Sequence, residues 1–156
     1  MELPILVYLG THQYLFYICV FLAGLYFFLA KRYYILLGIY GGAAGLLISV
    51  MILKNLFEVA RPLNGIVSLQ SYSFPSGHAA GIVFISFLFC LVVTNIFKNI
   101  PHYWPVIFGI LASLSVGLSR VYLNLHTPLD IIAGYAVGLF WIVLLSYFLR
   151  AVSKPN

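Results

Sequence analysis

Residues 119–130 read Ser-Arg-Val-Tyr-Leu-Asn-Leu-His-Thr-Pro-Leu-Asp. This stretch decides the fold, because a cation (Arg120), an imidazole (His126) and a carboxylate (Asp130) interrupt a chain that is otherwise nearly free of charge. Thr127-Pro128 supplies a helix N-cap and a proline at the first helical position, so a new helix starts there and is expected to end at Arg150. Before it, an apolar run that opens at Tyr103-Trp104-Pro105 ends near Arg120. The stretch is a polar turn between two helices, each long enough to cross a bilayer.

Composition fixes the class. Of 156 residues, 63% are hydrophobic and 7% charged, and the mean hydropathy is +1.08. A soluble fold of this size could not bury so much apolar surface. The apolar runs do not alternate in polarity as barrel strands do, so the expected fold is an all-α, polytopic membrane bundle forming a single domain over residues 1–156. The formal charge of +5 comes from eight scattered basic residues that form no stripe, which argues against nucleic acid as a partner. Cys19 and Cys90 fall inside apolar runs without a CxxC pair or a histidine cluster and read as buried thiols. Glu2 stands where a cleavable signal would be basic, so none is expected.

Five spans are expected. Residues 1–12 hold an apolar piece too short to span, which reads as interfacial. Tyr14 to Ala30 is a marginal first span closed by Lys31-Arg32, and Tyr33-Tyr34 opens the second. The second can stay helical to about Ala60, before Pro62, which gives a helix of roughly 40 Å whose end protrudes and carries Lys54. Within it Gly41 and Gly45 form a GxxxG pair suited to close packing, and Gly134 and Gly138 repeat that spacing in the last span. Pro62 to Phe74 is a loop with a turn at Asn64-Gly65. The third span starts at Pro75-Ser76-Gly77-His78 and runs to Phe97.

Charge then separates the two ends of the bundle. Lys31, Arg32, Lys98, Arg150 and Lys154 fall on one side, which the positive-inside rule makes cytoplasmic. Lys54, Glu58, Arg61, His78, Arg120, His126 and Asp130 fall on the other. Charges near a membrane are costly, so a second cluster that breaks the bias implies a task.

Each member has a structural reading of its own. Glu58 could bridge Lys54 and Arg61 on one helix face. Ser76 could be an N-cap, Gly77 a point of backbone freedom, and Asp130 the second half of a capping box with Thr127. A helix N-terminus is nevertheless an anion site, and two such termini, at Ser76 and Thr127, open on the same side.

Taken together, Lys54-x6-Arg61-Pro62, Pro75-Ser76-Gly77-His78 and Ser119-Arg120-x5-His126-x3-Asp130 resemble the three-part signature of the type 2 phosphatidic acid phosphatase (PAP2) superfamily, over about half the chain. The spans make it resemble the membrane lipid-phosphatase branch, many bacterial members of which have six spans. The resemblance implies that His126 attacks phosphorus to form a phosphohistidine, that Asp130 orients it, and that His78 protonates the leaving oxygen and then assists water. It implies that Lys54, Arg61, Ser76, Gly77 and Arg120 hold the phosphate. The implied substrate is a lipid phosphate such as undecaprenyl diphosphate, phosphatidylglycerophosphate or lipid A 1-phosphate, cleaved at the outer face of a cytoplasmic membrane. No cofactor and no obligatory protein partner are expected.

General chemistry agrees with those roles. Neutral imidazole is both a good nucleophile and a good acid near neutral pH, and two histidines let the tasks be divided. Phosphoryl transfer depends on positioning and on charge at the equatorial oxygens, which three cations can supply. Two histidines and an aspartate could instead ligate a metal, but three nearby cations would repel a divalent ion. A phosphotransferase using a lipid acceptor, or a non-catalytic membrane protein on the same fold, are the alternatives.

Overall fold

The computed structural model describes residues 14–62 and 71–153. The expected interfacial segment at residues 1–12, the Asn64-Gly65 turn and Lys154 lie outside these. Among the described residues there are five helices and no strand: α1 Tyr14–Leu29, α2 Tyr33–Phe57, α3 Gly77–Ile96, α4 Tyr103–Tyr122 and α5 Pro128–Val152. Helices α2 to α5 are long and apolar enough to cross a membrane, whereas α1 has only 16 residues, about 24 Å at 1.5 Å per residue.

Helix α3 is central and packs against all four others. Apolar residues at spacings of three and four carry the core: Phe16, Val20, Ala23 and Phe27 on α1 meet Ile35, Ile39, Ala43, Leu46 and Val50 on α2 and Ala80, Phe84 and Leu88 on α3. Lipid tails are as apolar as leucine, so close fit rather than escape from water holds such helices together. The Gly134/Gly138 expectation holds in this sense. Cβ atoms there would strike the Ser76 and Ala80 carbonyls, so these glycines let α5 lie against the start of α3.

The other GxxxG pair does not act as a pair. Gly41 faces open space, and the small face of α2 is Gly38, Gly42 and Gly45, which receive Leu145, Phe84 and Trp141. A helix turning 100° per residue cannot show Gly41 and Gly42 to the same neighbour. The cysteines, expected as buried, are free and only partly covered, because an apolar residue in a membrane helix can face lipid as well as core.

Helix α2 also ends earlier than expected, at Phe57 rather than near Ala60. Glu58 takes a left-handed conformation (φ 46°) and its N–H caps the Lys54 carbonyl. Lys54 and Arg61 therefore share no helix face. Among the described residues Glu58 forms no ion pair with either of them, so the proposed bridge is not made.

Candidate active site

The turn at residues 119–130 is fixed at both ends. Helix α4 closes in a Schellman motif: Asn124, left-handed at φ 51°, donates to the Val121 carbonyl at 3.0 Å, and Leu125 donates to the Arg120 carbonyl at 3.0 Å. Asparagine is the residue after glycine best suited to that conformation. Helix α5 opens in a capping box: the Asp130 N–H donates to Thr127 Oγ1 at 3.3 Å, and the Thr127 N–H donates to Asp130 Oδ2 at 2.7 Å. Between them His126 is left 3% and Asp130 1% exposed.

The loop leading into α3 is docked on this turn. Ser73 donates its N–H to the Val59 carbonyl at 2.8 Å, and Ser76 donates its N–H to the Asp130 carbonyl at 3.0 Å. Ser76 Oγ accepts the Ala79 N–H, so the hydroxyl serves as N-cap here, with Gly77 and His78 as the first two residues of α3. Ser73 is fully buried, and its Oγ lies 2.6 Å from Asp130 Oδ2 and 3.3 Å from His126 Nδ1. His126 Nδ1 and Asp130 Oδ2 are themselves 3.7 Å apart, beyond hydrogen-bond distance.

Cations close the other side. Arg61 Nη1 lies 3.4 Å from His126 Nε2 and donates to the Leu125 carbonyl at 2.8 Å. The remaining guanidinium N–H groups go to the Ser71 carbonyl, Ser71 Oγ and the Tyr72 carbonyl. Lys54 Nζ donates to the Tyr72 carbonyl and, at 3.3 Å, to that of Ser73. Arg120 is only 3% exposed, yet its Nε and Nη1 have no hydrogen-bond partner among the described residues. Buried donors without an acceptor are costly to the fold.

The electrostatics keep His126 neutral. Burial is the largest influence, followed by the Arg61 and Lys54 charges; with a further push from His78 and against the pull of Asp130, they bring its pKa down to about 3. A cation facing Nε2 does not remove the nitrogen lone pair, so the ring keeps its nucleophilic form.

The structure thus brings Lys54, Arg61, Ser76, His78, His126 and Asp130 to one end of the bundle, where their backbone bonds and mutual fields interlock. Gly77 starts the helix beside them, and Arg120 is tied to the turn through its own carbonyl.

The family model described as the PAP2 superfamily matches residues 32–154. The chain belongs to the PAP2 superfamily. A relative from Sulfolobus acidocaldarius, named undecaprenyl-diphosphatase, is 41% identical over 75 residues, which is 48% of this chain and 32% of that protein. Phosphatidylglycerophosphatase B of Bacillus subtilis is 30% identical over 110 residues, 66% of this chain and 52% of its own length. This PAP2 chain therefore spans between a third and about half of these curated relatives. The crystal structure of the transmembrane PAP2 type phosphatidylglycerolphosphate phosphatase from Bacillus subtilis superposes with a TM-score of 0.77 at 25% identity, covering 100% of this chain and 82% of that one.

Sequence reasoning missed two residues of this PAP2 site, Ser71 and Ser73. Both are loop serines: Ser71 meets Arg61 across the loop, and Ser73 meets His126 and Asp130, which are remote in the chain. No spacing rule links such residues before the fold does.

Proposed function

We propose that this chain is an integral-membrane phosphatase that removes phosphate from a lipid headgroup through a phosphohistidine on His126. The observation that carries the reading is the His126 ring, buried and held neutral, with Arg61 3.4 Å from Nε2. The Nε2 lone pair attacks phosphorus, and the bond from phosphorus to the lipid oxygen breaks. His78 in its protonated form gives its proton to that oxygen, which leaves as a lipid alcohol, or as a lipid phosphate when the substrate is a diphosphate. Water then attacks the phosphohistidine, His78 takes its proton, and the N–P bond breaks to release phosphate.

Lys54, Arg61, Arg120, Ser76 and the Gly77 amide hold the non-bridging oxygens. The two unpartnered buried donors of Arg120 support its part. Charge at the equatorial oxygens is the main demand of phosphoryl transfer, and these cations meet it without a metal ion. The names of the relatives support an anionic lipid as substrate, with undecaprenyl diphosphate, phosphatidylglycerophosphate and, in a Gram-negative cell, lipid A 1-phosphate as the set to try. The basic residues at the opposite end, Lys31, Arg32, Lys98 and Arg150, support an orientation with the site at the outer face of a cytoplasmic membrane.

The test is release of free phosphate from that panel by detergent-purified protein in the presence of EDTA. Release that survives chelation and vanishes in His126→Ala is the expected result. Full activity in that variant, or phosphate recovered on a second lipid instead of in solution, would overturn the reading.

A further inference from the structure

Ser73 lies between the two residues that the phosphatase reading pairs, and it has been given no role. Asp130 Oδ2 already accepts the Thr127 N–H at 2.7 Å, and it lies 2.6 Å from Ser73 Oγ. A carboxylate oxygen accepts and does not donate, so the single hydroxyl proton of Ser73 points to Asp130. The same oxygen then has only lone pairs to offer His126 Nδ1 at 3.3 Å, and Nδ1 must be the protonated nitrogen of the ring. The other face of the imidazole gives the same answer. Arg61 Nη1 can only donate, so Nε2, 3.4 Å away, is the acceptor. Two neighbours with opposite hydrogen-bonding character thus select one tautomer from opposite sides.

We propose that Ser73 is the positioning residue that fixes His126 as the Nδ1–H tautomer, linking it to Asp130 through its hydroxyl. The inference rests on His126 being the nucleophile. As Nε2 bonds to phosphorus the ring gains positive charge, while the proton stays on Nδ1. Ser73 accepts that strengthened N–H bond and passes the polarisation on through its own O–H to Asp130, with no net proton transfer. When the N–P bond breaks the charge is withdrawn and the same tautomer is restored. Direct contact cannot do this across the 3.7 Å between Nδ1 and Oδ2. The serine is held for the purpose at both ends of its backbone, its N–H on the Val59 carbonyl and its carbonyl on Lys54 Nζ.

Two measurements test the proposal on the full chain in detergent. Nitrogen-15 spectra of histidine-labelled protein, with the His126 signals identified by their loss in His126→Gln, report which ring nitrogen is protonated. The expected wild-type state is Nδ1–H, with an Nε2–H fraction appearing in Ser73→Ala, where Arg61 alone still favours Nδ1–H. Turnover of dioctanoyl phosphatidic acid should fall about 10- to 100-fold in kcat in Ser73→Ala, with KM within about twofold, by analogy with the loss of a partner that orients a metal-bound histidine. In an Asp130→Asn background the same substitution should have little further effect, because the two act in one chain.

An Nε2–H wild-type ring overturns the proposal even if Ser73→Ala does not fold. Equal slowing by Ser73→Ala in both backgrounds, or none in either, also overturns it. Wild-type protein inert towards every lipid phosphate would instead remove the phosphatase reading, and the spectra would still report the tautomer.

Discussion

Ser76 donates its backbone N–H to the Asp130 carbonyl at 3.0 Å, so the first turn of α3 hangs from the first turn of α5. The two helix N-termini are thereby held side by side, and Gly134 makes room for it one turn further along α5. A Cβ at Gly134 would overlap the Ser76 carbonyl and stand 2.8 Å from Ala79 Cβ. Gly134→Ala should therefore lower the melting temperature in detergent by several degrees and depress activity, since backbone has to move. Gly41→Ala, where nothing lies within 4 Å, should melt at or above the wild type.

Arg120 should separate stability from function. Its Nε and Nη1 are buried without partners among the described residues, so they burden the fold, and on the phosphatase reading they hold phosphate. Arg120→Leu should leave the melting temperature unchanged or raised, while kcat/KM for a lipid phosphate falls roughly 10- to 100-fold, the loss of charge-assisted hydrogen bonds worth about 1.5–3 kcal/mol. Paired melting curves and steady-state rates check both halves.

His126 should make stability depend on pH. Its pKa is lowered to about 3 in the folded protein by burial, Arg61 and Lys54, against 6.5 for the unperturbed side chain. Between those values the unfolded chain binds the extra proton, so stability is fully present above about pH 6.5 and is lost as pH falls towards 3. The melting temperature should drop steadily from pH 7 to pH 4, and His126→Gln should flatten that slope. An equal slope in the variant would mean that other groups carry it.

Orientation can be read by labelling. In a background with Cys19 and Cys90 replaced by serine, Ser71→Cys should react in intact cells with a thiol reagent that cannot cross the membrane. Lys98→Cys, at the opposite end of the bundle, should react only after lysis. The reverse pattern would place the site in the cytoplasm.

Much of the fold was legible because helix ends in this chain carry chemical marks. Thr127-Pro128 gave the start of α5, Ser76 the start of α3, and Lys31-Arg32 the break after α1, all within a residue or two of the observed ends. The end of α2 carried no such mark. Glu58 adopts a left-handed conformation at a cost that glycine would avoid, and nothing in its side chain announces it. The candidate site was legible as a set of residue types on one side, since charge is rare in this chain. Its internal wiring was not. The partners of Arg61 and Lys54 are largely backbone carbonyls, which every residue possesses, and the link at Ser73 joins positions 57 residues apart.

The engagement of Arg61 has a consequence for selectivity. Each of its N–H groups already has a partner, in the Ser71, Tyr72 and Leu125 carbonyls, Ser71 Oγ and His126 Nε2. An entering anion must compete for those donors, and exchanging one acceptor for another contributes little net affinity. Chloride or free phosphate in solution thus gains little from Arg61, and on the phosphatase reading Arg61 does little to detain the phosphate set free at the end of a cycle. A headgroup tethered to a bilayer faces the same exchange at a far higher local concentration. On that reading Arg61 favours a tethered headgroup over a free anion, and the unpartnered donors of Arg120 supply the hold on the phosphate that Arg61 does not.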